Sequence, residues 1–148
     1  MKGIYAKIPK AVDAELRWGQ GLKFISKTGS DNQVILDAAV EHGGTNEGAR
    51  PMEILLSALG GCMGMDLVTI LTKKKRDLKD LKISMHGKRS GDHPHVLESV
   101  SITFDMWGPD ITNEDVQWAV NLSLSKYCSV SAMLAKACKI SYKWNIHK

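Results

Sequence analysis

The chain has 148 residues, of which 43% are hydrophobic and 24% charged. That length can close a core without disulfides and leads us to expect one domain, residues 1–148, and the composition excludes a disordered chain. Twenty basic and sixteen acidic residues leave a formal charge of +4, but the signs are interspersed, so charge favours polyanion contact only weakly.

Ala11–Arg17 alternates and reads as a strand leading to a turn at Trp18–Gly21. Leu22–Ser26 and Gln33–Asp37 read as two more strands, joined by the polar turn Thr28–Asn32, so a three-stranded meander opens the chain. A polar loop, His42–Arg50, follows. Pro51 then introduces a long apolar helix, Met52–Thr72, closed by Lys73–Arg76, whose cations suit a helix C-terminus. At a rise of ~1.5 Å per residue this helix spans about 30 Å.

Apolar residues surround this helix, so it requires cover on nearly every side. Glu53, Asp66 and three glycines inside it favour a core helix over a membrane span. A chain with strands gathered at both ends does not readily supply that cover. Gly60 and Gly64 would let another backbone approach, and a two-fold dimer packing these helices together is the simplest solution.

Asp80–Arg89 and His95–Trp107 alternate and form a long hairpin around Ser90–Pro94. Thr112 and Asp115 resemble a capping box for a helix running through Val116 and Leu124. A short helix, Val130–Ala137, and a last strand, Ile140–Ile146, complete an α+β chain with mainly antiparallel pairing.

The chemistry-bearing residues are few. Among the five histidines there is no H-E-x-x-H, and among the three cysteines no C-x-x-C, so no metal or cofactor site is expected. His93-Pro94-His95 reads as an exposed hairpin tip rather than a chelate. Gly61-Cys62-Met63-Gly64 matches a nucleic-acid-binding G-x-x-G loop only formally, because it lies within an apolar helix. An odd cysteine count and a start, Met1–Lys7, with no continuous apolar stretch fit a cytoplasmic protein with reduced thiols.

Cys62 lies mid-helix with Asp66 one turn on, and that anion is expected to raise its thiol pKa. Cys128 lies in the break between two helices, and Cys138 reads as a packed residue before the last strand. Paired cysteines such as Cys62 and Cys128 can be the attacked and resolving halves of a thiol redox centre, or simply buried small hydrophobes.

Two stretches, Gly43-Gly44-Thr45-Asn46-Glu47-Gly48-Ala49-Arg50-Pro51 continuing to Gly60-Gly61-Cys62, and Leu122–Val130 around Tyr127-Cys128-Ser129, resemble the OsmC/Ohr family of osmotically induced and organic-hydroperoxide-resistance proteins. Within it, the Gly-Gly-Cys sequence resembles the OsmC-like branch. The resemblance implies an intertwined α+β homodimer with long central helices enclosed by sheets from both chains. It also implies a thiol peroxidase that reduces organic hydroperoxides without metal or flavin. Cys62 would be the peroxidatic cysteine and Cys128 the resolving one, with an intrasubunit disulfide between them. A dithiol reductant such as a lipoylated protein would recycle that disulfide, and an apolar pocket would favour alkyl peroxides.

The hydroperoxide-resistance branch also has an arginine near the first strand turn, which makes Arg17 the candidate thiolate stabiliser. Its glutamate directly after the helix-opening proline is replaced here by Met52, with Glu53 the nearest acid and candidate support. Glu53 is about 180° around an ideal helix from Cys62. That departure, with Asp66 near Cys62, motivates an alternative: a dimer of the same fold that holds a small apolar ligand and has little peroxidase activity.

Overall fold

A computed structural model describes residues Lys10–Lys148; the reading of Met1–Lys7, and so of the chain's start, lies outside the described residues. The chain forms two compact units, Met1–Ile54 and Leu55–Lys148.

In the first unit, β1 (Ala14–Trp18), β2 (Phe24–Thr28) and β3 (Gln33–Leu36) form the expected antiparallel meander, in the order β1-β2-β3. Every residue of β1 is exposed, including the large apolar Leu16 and Trp18. The polar loop after β3 is organised by one carboxylate. Buried Asp37 accepts the amide protons of Ala38 (2.7 Å), Thr45 (3.1 Å) and Glu47 (3.0 Å), together with the Thr45 hydroxyl (2.8 Å). These donors hold its pKa down at about 2, the Glu47 amide contributing most. Gly44 is required by close approach, because a Cβ there would lie 2.0 Å from the Ala38 carbonyl oxygen.

Helix α1 (Pro51–Lys73) starts at the proline, and the backbone N–H of Arg50 donates to Glu53 Oε2 over 3.0 Å. Glu53 thus satisfies a backbone donor at the helix entry, as a cap does.

In the second unit, β4 (Asp80–Arg89) and β5 (Leu97–Trp107) form the long antiparallel hairpin. β6 (Lys139–His147) pairs with β5 in parallel, which alternation alone does not foretell. The crossover between them contains α2 (Asn113–Leu122), a π-helical turn (Ser123–Tyr127) and α3 (Ser129–Leu134). Thr112 and Asp115 close the expected capping box, with each side chain bonded to the other's backbone N–H. Trp144 Nε1 donates to Asn113 Oδ1 (2.9 Å) and the Tyr142 hydroxyl to Asn121 Oδ1 (3.0 Å), tying β6 to α2.

The core of this unit joins Val100, Ile102, Phe104 and Met106 of β5 to Leu59, Met63, Leu67 and Leu71 of α1 and Val116, Ala119 and Val120 of α2. α1 lies close to β4. A Cβ on Gly60 would sit 2.5 Å from the Met85 methyl, and one on Gly64 would sit 2.9 Å from Ile83 Cδ1. The two glycines therefore accommodate side chains of the same chain; their expected use by a second backbone is not what these contacts show.

α1 is long and apolar enough to cross a membrane by length and composition, yet its buried residues belong to a core shared with a sheet and a second helix. That core covers the helix on one face. Met65 is 74% exposed, Val68 is 45% exposed, and nothing approaches within 4 Å of a Cβ built on Gly61. Among the described residues, the face that carries Met65 and Val68 is thus left open.

The basic run after α1 also has a tertiary role. Lys74 Nζ and Arg76 Nε lie 2.7 Å from opposite oxygens of buried Asp115. Burial works against ionisation of Asp115, but Lys74, Thr112 and Arg76 outweigh it and hold the carboxyl well below its ordinary range.

Candidate active site

Cys62 projects from the middle of α1 and Cys128 from the break between the π-helical turn and α3. The structure brings them together. One ligating atom each from Cys62, Asp66 and Cys128 lies within 4.8 Å of the other two. Cys128 and Asp66 are buried and Cys62 is half-buried.

Local structure explains why the sulfurs converge. The Cys128 N–H donates to the Ser123 carbonyl oxygen over 2.8 Å, so the π-helical turn sets where Cys128 emerges. Cys128 is also the N-cap of α3. Its Sγ accepts the Ser131 N–H at 3.3 Å, and the Ser131 hydroxyl donates back to the Cys128 carbonyl at 3.0 Å. On the helix side, Asp66 Oδ2 accepts the Ser123 hydroxyl at 2.8 Å. Ser123 thus touches both partners, one through its backbone and one through its side chain.

The electrostatics disfavour a resting thiolate at Cys62. Burial pushes its thiol from an ordinary 9.0 up to about 11, with the Cys128 thiol and the Asp66 carboxylate adding to the shift, while the Val130 N–H pulls the other way. A pKa there leaves about one thiolate in ten thousand at pH 7. The expected effect of Asp66 is present, behind the larger effects of burial and of Cys128.

The other candidates have partners in their own unit. Arg17, on β1, pairs through Nε with Glu15 Oε1 at 3.1 Å, and its side chain is 84% exposed. Arg50 donates to Asn46 Oδ1 (2.7 Å) and the Gly48 carbonyl (3.0 Å), while Glu53 serves the start of α1. The His93 and His95 rings lie 4.1 Å apart and tilted by 53° at a hairpin tip, where the His95 Nδ1 lies 2.9 Å from the Ser90 carbonyl. Cys138 sits between α3 and β6 and bonds through its N–H to the Leu134 carbonyl.

Sequence reasoning missed Ser123 and Ser131. Ser131 had a local signal, since a cap residue followed three positions later by its amide donor is the pattern read correctly at Thr112. Ser123 had none, because its partner Asp66 is 57 positions away.

Beside these residues, α1 and β4 border an open groove of about 870 Å³, lined by Gly60, Gly61, Gly64, Met65, Val68 and Leu81 among others rather than by either sulfur.

Residues 44–143 match the family model described as OsmC-like protein. The chain is 32% identical over 135 residues to Protein YhfA of Escherichia coli K12, covering 91% of this chain and 98% of YhfA. An OsmC-like protein from Mycoplasma pneumoniae superposes with a TM-score of 0.81 at 18% identity, covering 95% of this chain and all of that one. The organic hydroperoxide resistance protein OsmC of Legionella pneumophila superposes with a TM-score of 0.70 at 12% identity, covering 94% and 99% of the two chains.

Proposed function

The chain belongs to the OsmC-like protein family, a family that includes hydroperoxide-resistance proteins, and from that premise we propose that it is a cysteine-based thiol peroxidase acting on organic hydroperoxides. The observation that carries this reading is the approach of the Cys62 and Cys128 sulfurs to within 4.8 Å. A disulfide between them requires the sulfurs to close from that separation to about 2.05 Å.

In the proposed cycle the Cys62 thiolate attacks the distal peroxide oxygen. The O–O bond breaks, the alkoxide takes a proton and leaves as an alcohol, and Cys62 becomes a sulfenic acid. The Cys128 thiol then displaces water from that sulfur and forms the disulfide. A dithiol reductant, such as a lipoylated protein, returns both thiols and is itself oxidised to a disulfide.

With the Cys62 pKa raised, turnover requires a protein cation brought near the thiol on assembly. We assign that charge to Arg17, with Glu53 in support at the helix entry. We further propose that the chain works as one cytoplasmic domain and as a homodimer, with a second copy covering the open face of α1. The exposure of Met65 and Val68 and the clear space at Gly61 support that arrangement.

The same high pKa favours a second reading, a ligand-binding dimer with little turnover. Stoichiometric titration of the reduced protein with cumene hydroperoxide, followed by intact mass and peptide mapping, separates the two. Rapid formation of a Cys62–Cys128 disulfide with one alcohol per chain supports the peroxidase. Slow oxidation that includes Cys138 supports the ligand-binding dimer.

A further inference from the structure

Peroxide chemistry gives Cys62 and Cys128 their roles but gives none to the buried carboxylate of Asp66 beside them, because a peroxidatic thiol is helped by cations and not by an anion. Two sulfurs and a carboxylate oxygen are a ligand set for a thiophilic divalent cation.

We propose that Cys62, Cys128 and Asp66 form a binding site for a divalent cation of the zinc class. In tetrahedral geometry, bonds of about 2.3 Å to sulfur and about 2.0 Å to oxygen place the donor atoms roughly 3.3–3.8 Å apart. The three donors here lie within 4.8 Å of one another, so closing on an ion takes side-chain movements of about 1 Å or less.

The surroundings are those that hold thiolate ligands. The Ser131 N–H already points at the Cys128 sulfur over 3.3 Å and stabilises negative charge that builds there. The Ser123 hydroxyl orients the Asp66 carboxylate through Oδ2, as outer partners orient metal ligands. Binding replaces two S–H bonds with two metal–sulfur bonds and releases two protons to solvent, with no change of oxidation state. Water completes the coordination, which leaves the ion open to exchange.

The inference does not rest on peroxide turnover. It requires the reduced pair, and a bound ion would withhold both sulfurs from oxidants until removed. Cobalt(II) is a suitable probe, added without air to the reduced full-length protein, with zinc(II) as competitor.

The expected result is one cobalt per chain, a near-ultraviolet thiolate-to-cobalt charge-transfer band and visible bands of four-coordinate intensity, all bleached by zinc. Cys62→Ser and Cys128→Ser should each lose the two-thiolate band, Cys138→Ser should retain it, and Asp66→Asn should weaken uptake at least tenfold. X-ray absorption on the zinc-loaded wild type needs no variant and should find two sulfurs with oxygen ligands. No charge-transfer band, a band that survives Cys62→Ser, or a shell of four sulfurs would overturn the proposal. Peroxide titration of the chelator-treated protein reads the disulfide separately, so failure of either idea leaves the other measurable.

Discussion

The Ser123 hydroxyl donates to Asp66 Oδ2 over 2.8 Å, joining the turn that leads to Cys128 to the helix that carries Cys62. This contact fixes a carboxylate next to the two sulfurs, and a carboxylate there favours the protonated thiol.

Replacing Asp66 with Asn keeps an acceptor for Ser123 and removes the charge. The Cys62 pKa should then fall below about 11, because one of the groups raising it is gone. Site-resolved alkylation with iodoacetamide at pH 8 should label Cys62 severalfold faster than in the wild type. An unchanged rate would mean that burial and the Cys128 thiol hold the proton without Asp66.

The two cysteines should fail in different ways. Cys62→Ser should abolish reduction of cumene hydroperoxide. Cys128→Ser should leave a sulfenic acid on Cys62 that dimedone traps as a mass adduct, since no resolving thiol follows it. Turnover persisting in Cys62→Ser would remove the peroxidase reading.

Met65 is 74% exposed on the open face of α1, so Met65→Arg should change the stability of a lone chain by no more than about 0.5 kcal/mol. If a second copy covers that face, a buried unpaired guanidinium would oppose association. Sedimentation velocity should show the wild type as a dimer and the variant as a monomer. A wild-type monomer, or a dimeric variant, contradicts the assembly.

Asp115 couples stability to pH. Its folded pKa lies below the ordinary 3.8, so its contribution is fully present above that value and is lost as pH falls toward the folded pKa. Urea midpoints should therefore drop as the wild type is acidified below about pH 4, and Asp115→Asn should show a shallower drop. At pH 7 the variant should lose about 1–3 kcal/mol, limited because Lys74 and Arg76 are each about a third exposed.

Local signals carried much of the architecture. Alternation foretold the meander and the β4–β5 hairpin, and proline with a long apolar run foretold α1. The spacing of Thr112 and Asp115 foretold a capping box, because that interaction closes within one turn. The cysteines could be singled out by residue type, and Asp66 could be placed near Cys62 from helical geometry.

Other features depend on chain segments meeting in space. The parallel pairing of β6 with β5 follows from a crossover whose destination no periodicity encodes. Lys74 and Arg76 meet Asp115 from about 40 positions away, so a basic run that reads as a solvated helix end becomes half of a clamp. The meeting of Cys62 with Cys128 has the same origin. Helical period and capping act over three or four residues and are written in adjacent side chains, whereas contacts across dozens of residues exist only once the core has packed. One structural fact, the open face of α1 among the described residues, runs against the local pattern: apolar residues circle the helix, but Met65 and Val68 remain exposed.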